Sequence, residues 1–297
     1  MCIFVCLNGG TELLMNKTAI MTDTNSGITP KTAQENGIYL LKMPFVVNGK
    51  EYAEYGEMSY GEFFESLESG SEVSTSQPSP ASLTDMWDEI LESYEAIVYF
   101  PMSSGLSGTC ETARALASDY DGRVFVVDNK RISVTLYTSV FNAVKLANNG
   151  VSAKEIADIS ENEAAEQSIY VSVNTLEYLK KSGRVTSAGA AIGTLLGIKP
   201  VLQIQGGKLD AYKKVRGMKA ATDAMLDGIE NDRNTRFAGE KVEIRAAYSG
   251  DLKAGKEWQA QIAERFPDLE IELDALPLSI SCHVGGGALG IGISKVI

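Results

Sequence analysis

The apolar positions of the chain follow two periods in alternation. Short, nearly continuous apolar runs at residues 18–21, 38–43, 96–100 and 124–127 have the length and composition of strands buried on both faces. Stretches of helical period lie between them. The clearest covers 83–94, where Leu83, Met86, Trp87, Ile90, Leu91 and Tyr94 fall at i, i+3, i+4, i+7, i+8 and i+11 and form one apolar stripe. Phe63, Phe64 and Leu67 follow a capping-box sequence, Ser59-Tyr60-Gly61-Glu62. Leu136, Tyr137, Val140, Phe141 and Val144 mark a further helix, and Thr29-Pro30 reads as the N-cap and first residue of a short one. Residues 46–50 read as a turn between extended segments, and 69–77 as a polar loop running into Pro78-Ser79-Pro80. Strands alternating with helices in this way predict a parallel sheet with helices on both faces.

The pattern changes near residue 168. A strand is expected at 169–173, a helical piece at 176–181, and a Gly- and Ala-rich stretch follows at 183–197. Runs at 201–205 and 208–212 flank Gly206-Gly207, a two-residue hairpin signal. A helix, a strand at 242–248, a helix at 256–266 and strands at 269–273 and 288–293 complete the chain. The predicted fold class is α/β in two domains: an N-terminal parallel-sheet α/β domain over 17–167 and a C-terminal α+β domain with a mixed or antiparallel sheet over 168–297. Residues 1–16 read as an N-terminal extension, because Met15 is followed at once by the first strand-like run. The length, 297 residues, fits two domains, since one core rarely grows past roughly 250–300 residues.

Composition narrows the chemistry. The four cysteines, Cys2, Cys6, Cys110 and Cys282, form no CxxC, which argues against a disulfide framework and a zinc ribbon. The single histidine, His283, excludes any metal site built on paired imidazoles, and no metal is expected. The first 14 residues lack the basic start and small-residue cleavage site of a secretory signal, and no run reaches the roughly 18 apolar residues of a membrane span; a soluble, cytoplasmic protein is expected. A net charge of -12 speaks against nucleic acid as a partner. The charge is uneven, however: residues 180–219 hold nine Lys or Arg and one acid, Asp210. That segment is either a solvated basic face or a docking face for an acidic or phosphate-bearing partner.

Several segments carry candidate chemistry. The stretch 100–109 (FPMSSGLSGT) reads as strand, hydroxyl-rich turn and helix, where Ser103, Ser104 and Gly105 either cap the helix or bind an anion at its N-terminus. Its spacing does not match a nucleotide P-loop. Thr75 and Ser76 lie in a second hydroxyl-rich turn. Asp23 and Asp128 close apparent strands, where a structural role is expected. His283 precedes Gly285-Gly286-Gly287, which lets backbone approach a ligand. A Ser104–His283 nucleophile and base would make a small-substrate hydrolase or phosphate-handling enzyme, although no GxSxG elbow is present. The stretch 189–198 suits either domain packing or a groove for an aliphatic ligand.

Read together, TDTNSG at 22–27, TSQPSP at 75–80, SSGLSGT at 103–109 and HVGGGALG at 283–290 resemble the DegV family in order and spacing. So do NTLEYLKKSGRVT at 174–186, GTLLGIKPVL at 193–202 and KKVRGMKA at 213–220. One departure is Gly286, where the family more often has Pro. The resemblance implies a carrier, not an enzyme, that binds one long-chain fatty acid such as palmitate or oleate between two domains and has no other cofactor. It implies a fatty acid kinase as partner, to which the acid is presented for acyl-phosphate formation, and it is compatible with transient contact with a membrane surface. The carboxylate would sit among Thr75, Ser104 and His283, with Ser76, Ser103 and Gly105 near. Ile192, Leu195, Leu196 and Ile198 would help line the tail tunnel. Arg184 would face the kinase, and Arg216 would support the head group or that same surface.

Overall fold

The computed structural model describes residues 16–191 and 198–297. The chain enters as β1 (Asn16–Asp23), turns through α1 (Pro30–Glu35) and returns as β2 (Ile38–Leu41). A small excursion follows: β3 (Pro44–Val47), β4 (Lys50–Ala53), α2 (Tyr60–Glu68) and β5 (Val73–Thr75). Next come α3 (Pro80–Leu91), β6 (Tyr94–Phe100), α4 (Thr109–Ala117), β7 (Val124–Val126), α5 (Ser133–Asn148) and α6 (Ala153–Asn162). The second half runs β8 (Gln167–Ser172), α7 (Glu177–Ser182), α8 (Ser187–Ala191), β9 (Ile198–Ile204) and β10 (Asp210–Arg216). It ends with α9 (Met218–Asn234), β11 (Val242–Tyr248), α10 (Leu252–Arg265), β12 (Glu272–Ala275), α11 (Leu278–Val284) and β13 (Leu289–Lys295).

The first sheet is parallel, in the order β2-β1-β6-β7. Its central strands alternate between two apolar layers, as a period of two requires. Ile20, Val98 and Phe100 pack on Leu136, Val140 and Ile156 of α5 and α6, while Met21, Ile97 and Tyr99 pack on Leu83, Trp87 and Ala113 of α3 and α4. Helices therefore cover both faces, as expected from the near-continuous apolar strands. The order reverses between β1 and β6, so the loops after these strands part and leave a crevice at their carboxyl ends, where ligands collect in such sheets.

The second sheet has six strands, β10-β9-β8-β13-β11-β12, all antiparallel except the β11–β12 pair. One face packs on Met225, Ile229, Trp258 and Ile262 of α9 and α10. The other, through Ile169, Val171, Leu202 and Ile204, meets Leu106, Ile132, Leu179, Ile280 and Val284. This second layer mixes residues from both halves of the chain and holds the site described below.

The excursion forms a third sheet, β4-β3-β5, wholly antiparallel. Asn48 and Gly49 at its hairpin both have positive φ, 49° and 80°, the backbone that a tight two-residue turn needs. The polar stretch 69–77 is thus not all loop: β5 pairs with β3 because Val73 and Thr75 find partners there, a tertiary gain with no local signature. Phe45, Phe63, Phe64 and Leu67 of this unit pack on Leu278 and Cys282 of α11, so early sequence lies against late sequence. Among the described residues no helix is long and apolar enough to cross a membrane.

Candidate functional site

A cavity of about 300 Å³ lies between the two large sheets. That size is at the lower end of small-molecule sites, roughly 300–1,000 Å³. Met102, Leu106, Ile132, Leu179, Ile280 and Val284 give it apolar walls. Thr75, Ser107, Arg184 and His283 supply polar groups, as do Asn25 and Ser279. Met43 and Pro44 of the small sheet and Leu209 of the β9–β10 turn add to the lining.

Each polar group is placed by local structure. Thr75 ends β5, and its Oγ1 lies 3.0 Å from His283 Nε2, across 208 positions of sequence. Ser107 sits just before α4: its Oγ accepts from the Thr109 N–H at 3.2 Å and pairs with Thr109 Oγ1 at 2.9 Å. Asn25 follows β1 within a short turn capped by Asp23, whose Oδ1 accepts from the Asn25 N–H at 2.9 Å. The other oxygen of Asp23 accepts from the Met102 N–H at 3.2 Å, so one carboxylate fixes both loops of the crevice. That is the structural role expected of Asp23. Asp128 has a similar one, accepting from the Ser104 N–H at 3.1 Å and pairing with Lys130.

His283 is carried by α11, a helix the glycine-rich reading of 281–290 overlooked. Ser279, Ile280, His283 and Val284 fall at i, i+1, i+4 and i+5, so one face of α11 lines the cavity. Burial, and secondarily the Arg184 cation, push the imidazole down from its ordinary 6.5 to about 4. It is therefore neutral at pH 7, and its Nδ1 has no hydrogen-bond partner among the described residues. Burial pushes Asp23 and Glu54 the other way, each up to about 6.

These shifts have opposite consequences for stability. Native His283 takes a proton only near pH 4, whereas an unfolded chain takes it near 6.5, so between those values the unfolded state binds more protons and stability falls as pH drops. Asp23 and Glu54 take protons near pH 6 when folded, against 3.8 and 4.5 unfolded, so they add stability as pH falls from above 6 toward 4. A His283→Gln protein lacks the first effect. Relative to wild type it is expected to gain about 2 kcal/mol between pH 7 and pH 5, measured by urea denaturation at both values. No relative gain would mean that the imidazole titrates near its ordinary value.

The structure brings some expected residues together and separates others. Thr75 and His283 meet, and Ser76 and Arg184 join them in the lining. Ser103, Ser104 and Gly105 are not lining residues. Helix α4 begins at Thr109, so these three neither cap it nor face its free N–H groups. Ser103 Oγ instead donates to the Gly207 carbonyl at 3.2 Å, across to the β9–β10 turn. Ser104 Oγ accepts from Lys130 Nζ at 2.6 Å. The hydrolase reading needs Ser104 on the imidazole; Ser104 is on Lys130 and His283 is on Thr75. Arg184, expected to face a partner, borders the cavity; its guanidinium bonds the Ser182 carbonyl. Ile198 and Arg216 oppose each other at the open end of the hairpin, outside the lining, with Arg216 exposed. Ile192, Leu195 and Leu196 lie outside the described residues.

Ser107, Asn25 and Ser279 were missed as candidates. Ser107 was legible as the serine nearest the helix start; Ser279 was not, because α11 is too short for a periodic signal. Asn25 lies in a motif whose Asp drew the attention.

Fold and site together define an α/β protein with a cavity between a parallel and a mixed sheet, lined by apolar side chains and by polar groups that include one hydroxyl–imidazole pair. Comparison with known proteins gives the family. The model of the DegV family, COG1307, described as uncharacterised, matches residues 17–296. A DegV domain-containing protein of Deinococcus radiodurans is 31% identical over 285 residues, which cover 94% of this chain and 98% of that one. Among solved structures, a DegV family protein from Thermus thermophilus is 28% identical, with a TM-score of 0.86 over 94% of this chain and all of that one. DegV from Bacillus subtilis is 26% identical, with a TM-score of 0.84 over 95% of this chain and 99% of that one. The chain belongs to the DegV family.

Proposed function

We propose that the cavity holds one long-chain fatty acid with its carboxylate at Thr75, Ser107 and His283, and that the protein acts as a lipid carrier. One observation carries this reading: a cavity with an apolar wall of Met102, Leu106, Ile132, Leu179, Ile280 and Val284 also presents the 3.0 Å Thr75–His283 pair, with the Arg184 guanidinium beside it. Fatty acid binding is described for the Thermus thermophilus and Bacillus subtilis relatives.

The physics supports a division of labour. About a dozen methylenes leaving water contribute roughly 10 kcal/mol at about 0.8 kcal/mol each, before the cost of immobilising the chain. The tail supplies affinity and the head group supplies orientation. A carboxylate needs donors: the Ser107 hydroxyl, the Arg184 guanidinium and the one proton that the Thr75–His283 pair leaves free, on Thr75 Oγ1 or on Nδ1, offer them. Such charge-assisted bonds are about twice as strong as neutral ones. The imidazole is neutral, and the Arg184 guanidinium beside it is a cation with which a carboxylate can pair. Ser107 takes the place that Ser104 had in the sequence reading, because Ser107 borders the cavity and Ser104 is held by Lys130.

In the same proposal the bound acid is presented to a fatty acid kinase. Arg184 borders the cavity beside His283, and Lys213, Lys214 and Arg216 are exposed on the edge strand β10, a face suited to an acidic partner. Lysines on an edge strand also discourage pairing with a foreign strand, which is reason enough for Lys213 and Lys214 without a partner.

Protein purified from a bacterial host is expected to release a long-chain fatty acid on denaturation, detected by mass spectrometry of the extract. Delipidated protein is expected to bind palmitate at one site. An extract free of fatty acid, together with no binding of added palmitate or oleate, would remove the proposal.

A further inference from the structure

Helix α11 carries His283, yet it opens at Pro277 without a side-chain cap of its own. Its first turn is met from far away in sequence. Glu54, the residue after β4, accepts from the Ser279 N–H through Oε1 at 2.6 Å, across 225 positions. Glu54 is only 2% exposed. Ser279 Oγ donates to Asn25 Oδ1 at 3.0 Å beside it. One turn further along, His283 meets Thr75, the last residue of β5.

The register of the small sheet joins these two contacts. Strands β4 and β5 flank β3, with Ala53 opposite Pro44 and Thr75 opposite Phe45. Glu54 and Thr75 therefore leave the same end of the sheet, two strand spacings or roughly 9–10 Å apart. Ser279 and His283 are separated by about 6 Å along the helix axis. One end of a three-stranded sheet thus grips α11 at both of its turns, and Pro44, between the two grips, is a cavity wall.

We infer that Glu54 is a positioning residue for the head-group site: by holding the first turn of α11 it fixes where His283 meets Thr75. This rests on the fatty-acid reading of that site. The titratable groups that face Glu54 are Asp23 at the end of β1, Tyr60 on α2, Cys282 on α11 and its neighbour Tyr55. A carboxylate this deeply buried needs its hydrogen bond, which ties the position of the helix to that of the carboxylate.

His283 is the single histidine of the chain, so its Cε1–Hε1 NMR signal is unambiguous. That signal is read with palmitate and hexadecanol binding in Glu54→Ala and Glu54→Gln proteins. Alanine removes the acceptor for the Ser279 N–H; glutamine keeps it. Glu54→Ala is expected to shift the His283 signal and to weaken palmitate binding roughly tenfold with hexadecanol unchanged. Glu54→Gln is expected to restore palmitate affinity to within about threefold. A folded Glu54→Ala protein with a wild-type His283 signal overturns the inference, and so does an equal loss for acid and alcohol. If the alanine protein does not fold, Glu54→Asp replaces it: the shorter arm is expected to move the same signal, and an unmoved signal overturns the inference. Should wild type bind neither ligand, the fatty-acid reading fails, while the unliganded His283 signal still decides whether Glu54 positions the imidazole.

Discussion

A His283→Ala protein is expected to bind palmitate roughly 10- to 100-fold more weakly than wild type while keeping its affinity for hexadecanol. The acid and the alcohol share a tail, so the apolar contribution cancels between them. What remains is the head group. A carboxylate left short of one donor in a buried site loses a charge-assisted bond, and that is the size of effect such bonds carry. Thr75→Val is expected to act in the same direction, because Thr75 Oγ1 and His283 Nε2 touch. The double variant is expected to lose less than the product of the two single effects, since the residues serve one network. Isothermal titration with both ligands measures all of this. Equal losses for acid and alcohol would show that His283 shapes the cavity without gripping the head. Unchanged palmitate affinity would move the head group elsewhere.

Gly105→Ala is expected to lower stability by more than about 2 kcal/mol and to speed the release of bound fatty acid. A Cβ on Gly105 would come within 2.5 Å of the Gly207 carbonyl oxygen and 2.8 Å of its carbon. Both sides of that contact are backbone, so no side chain can swing away. Gly207 has a φ of +100° and its carbonyl also accepts from Ser103 Oγ, which leaves the hairpin turn little freedom to retreat. This contact presses the 101–108 loop, with Met102, Leu106 and Ser107 of the cavity, against the turn that leads to Leu209. Opening it loosens the cavity at Met102, Leu106, Ser107 and Leu209. Denaturant midpoints and a fluorescent fatty-acid off-rate are the measurements. Wild-type values for both would show that the two turns separate without cost.

Much of the fold is visible in local pattern. The stripe from Leu83 to Leu91 gives α3, and the caps at Thr29 and Ser59 open α1 and α2 where expected. The Gly206-Gly207 signal falls between β9 and β10, which pair antiparallel as expected, although the connection runs over 205–209 and is not a two-residue turn. These elements are set by propensity, capping and a single period, all of which act within a few residues. By contrast, β5 has only three residues and takes its shape from pairing with β3. Helix α11 has seven, too few for a periodic signal, and its N-terminal cap is Glu54 from another part of the chain.

The candidate site divides along the same line. That Thr75 and His283 matter was legible as composition: a hydroxyl-rich turn, and one imidazole before flexible backbone. Which serine of the 103–109 turn borders the cavity was not, because the choice depends on where α4 starts relative to the sheet. Arg184 likewise reads as a surface cation until the 3D arrangement puts it beside His283.

Local pattern was enough for the class of each half, the parallel layering of the first and the mixed sheet of the second, because alternation between periods of two and 3.6 is written residue by residue. Composition also fixed that the chain has a single imidazole. Packing set the rest: Thr75 and His283 touch across 208 residues, Ser107 and not Ser104 borders the cavity, and Glu54 holds the first turn of α11. Contacts of that range depend on how two sheets and a small third one pack, and no local run of residues carries that information.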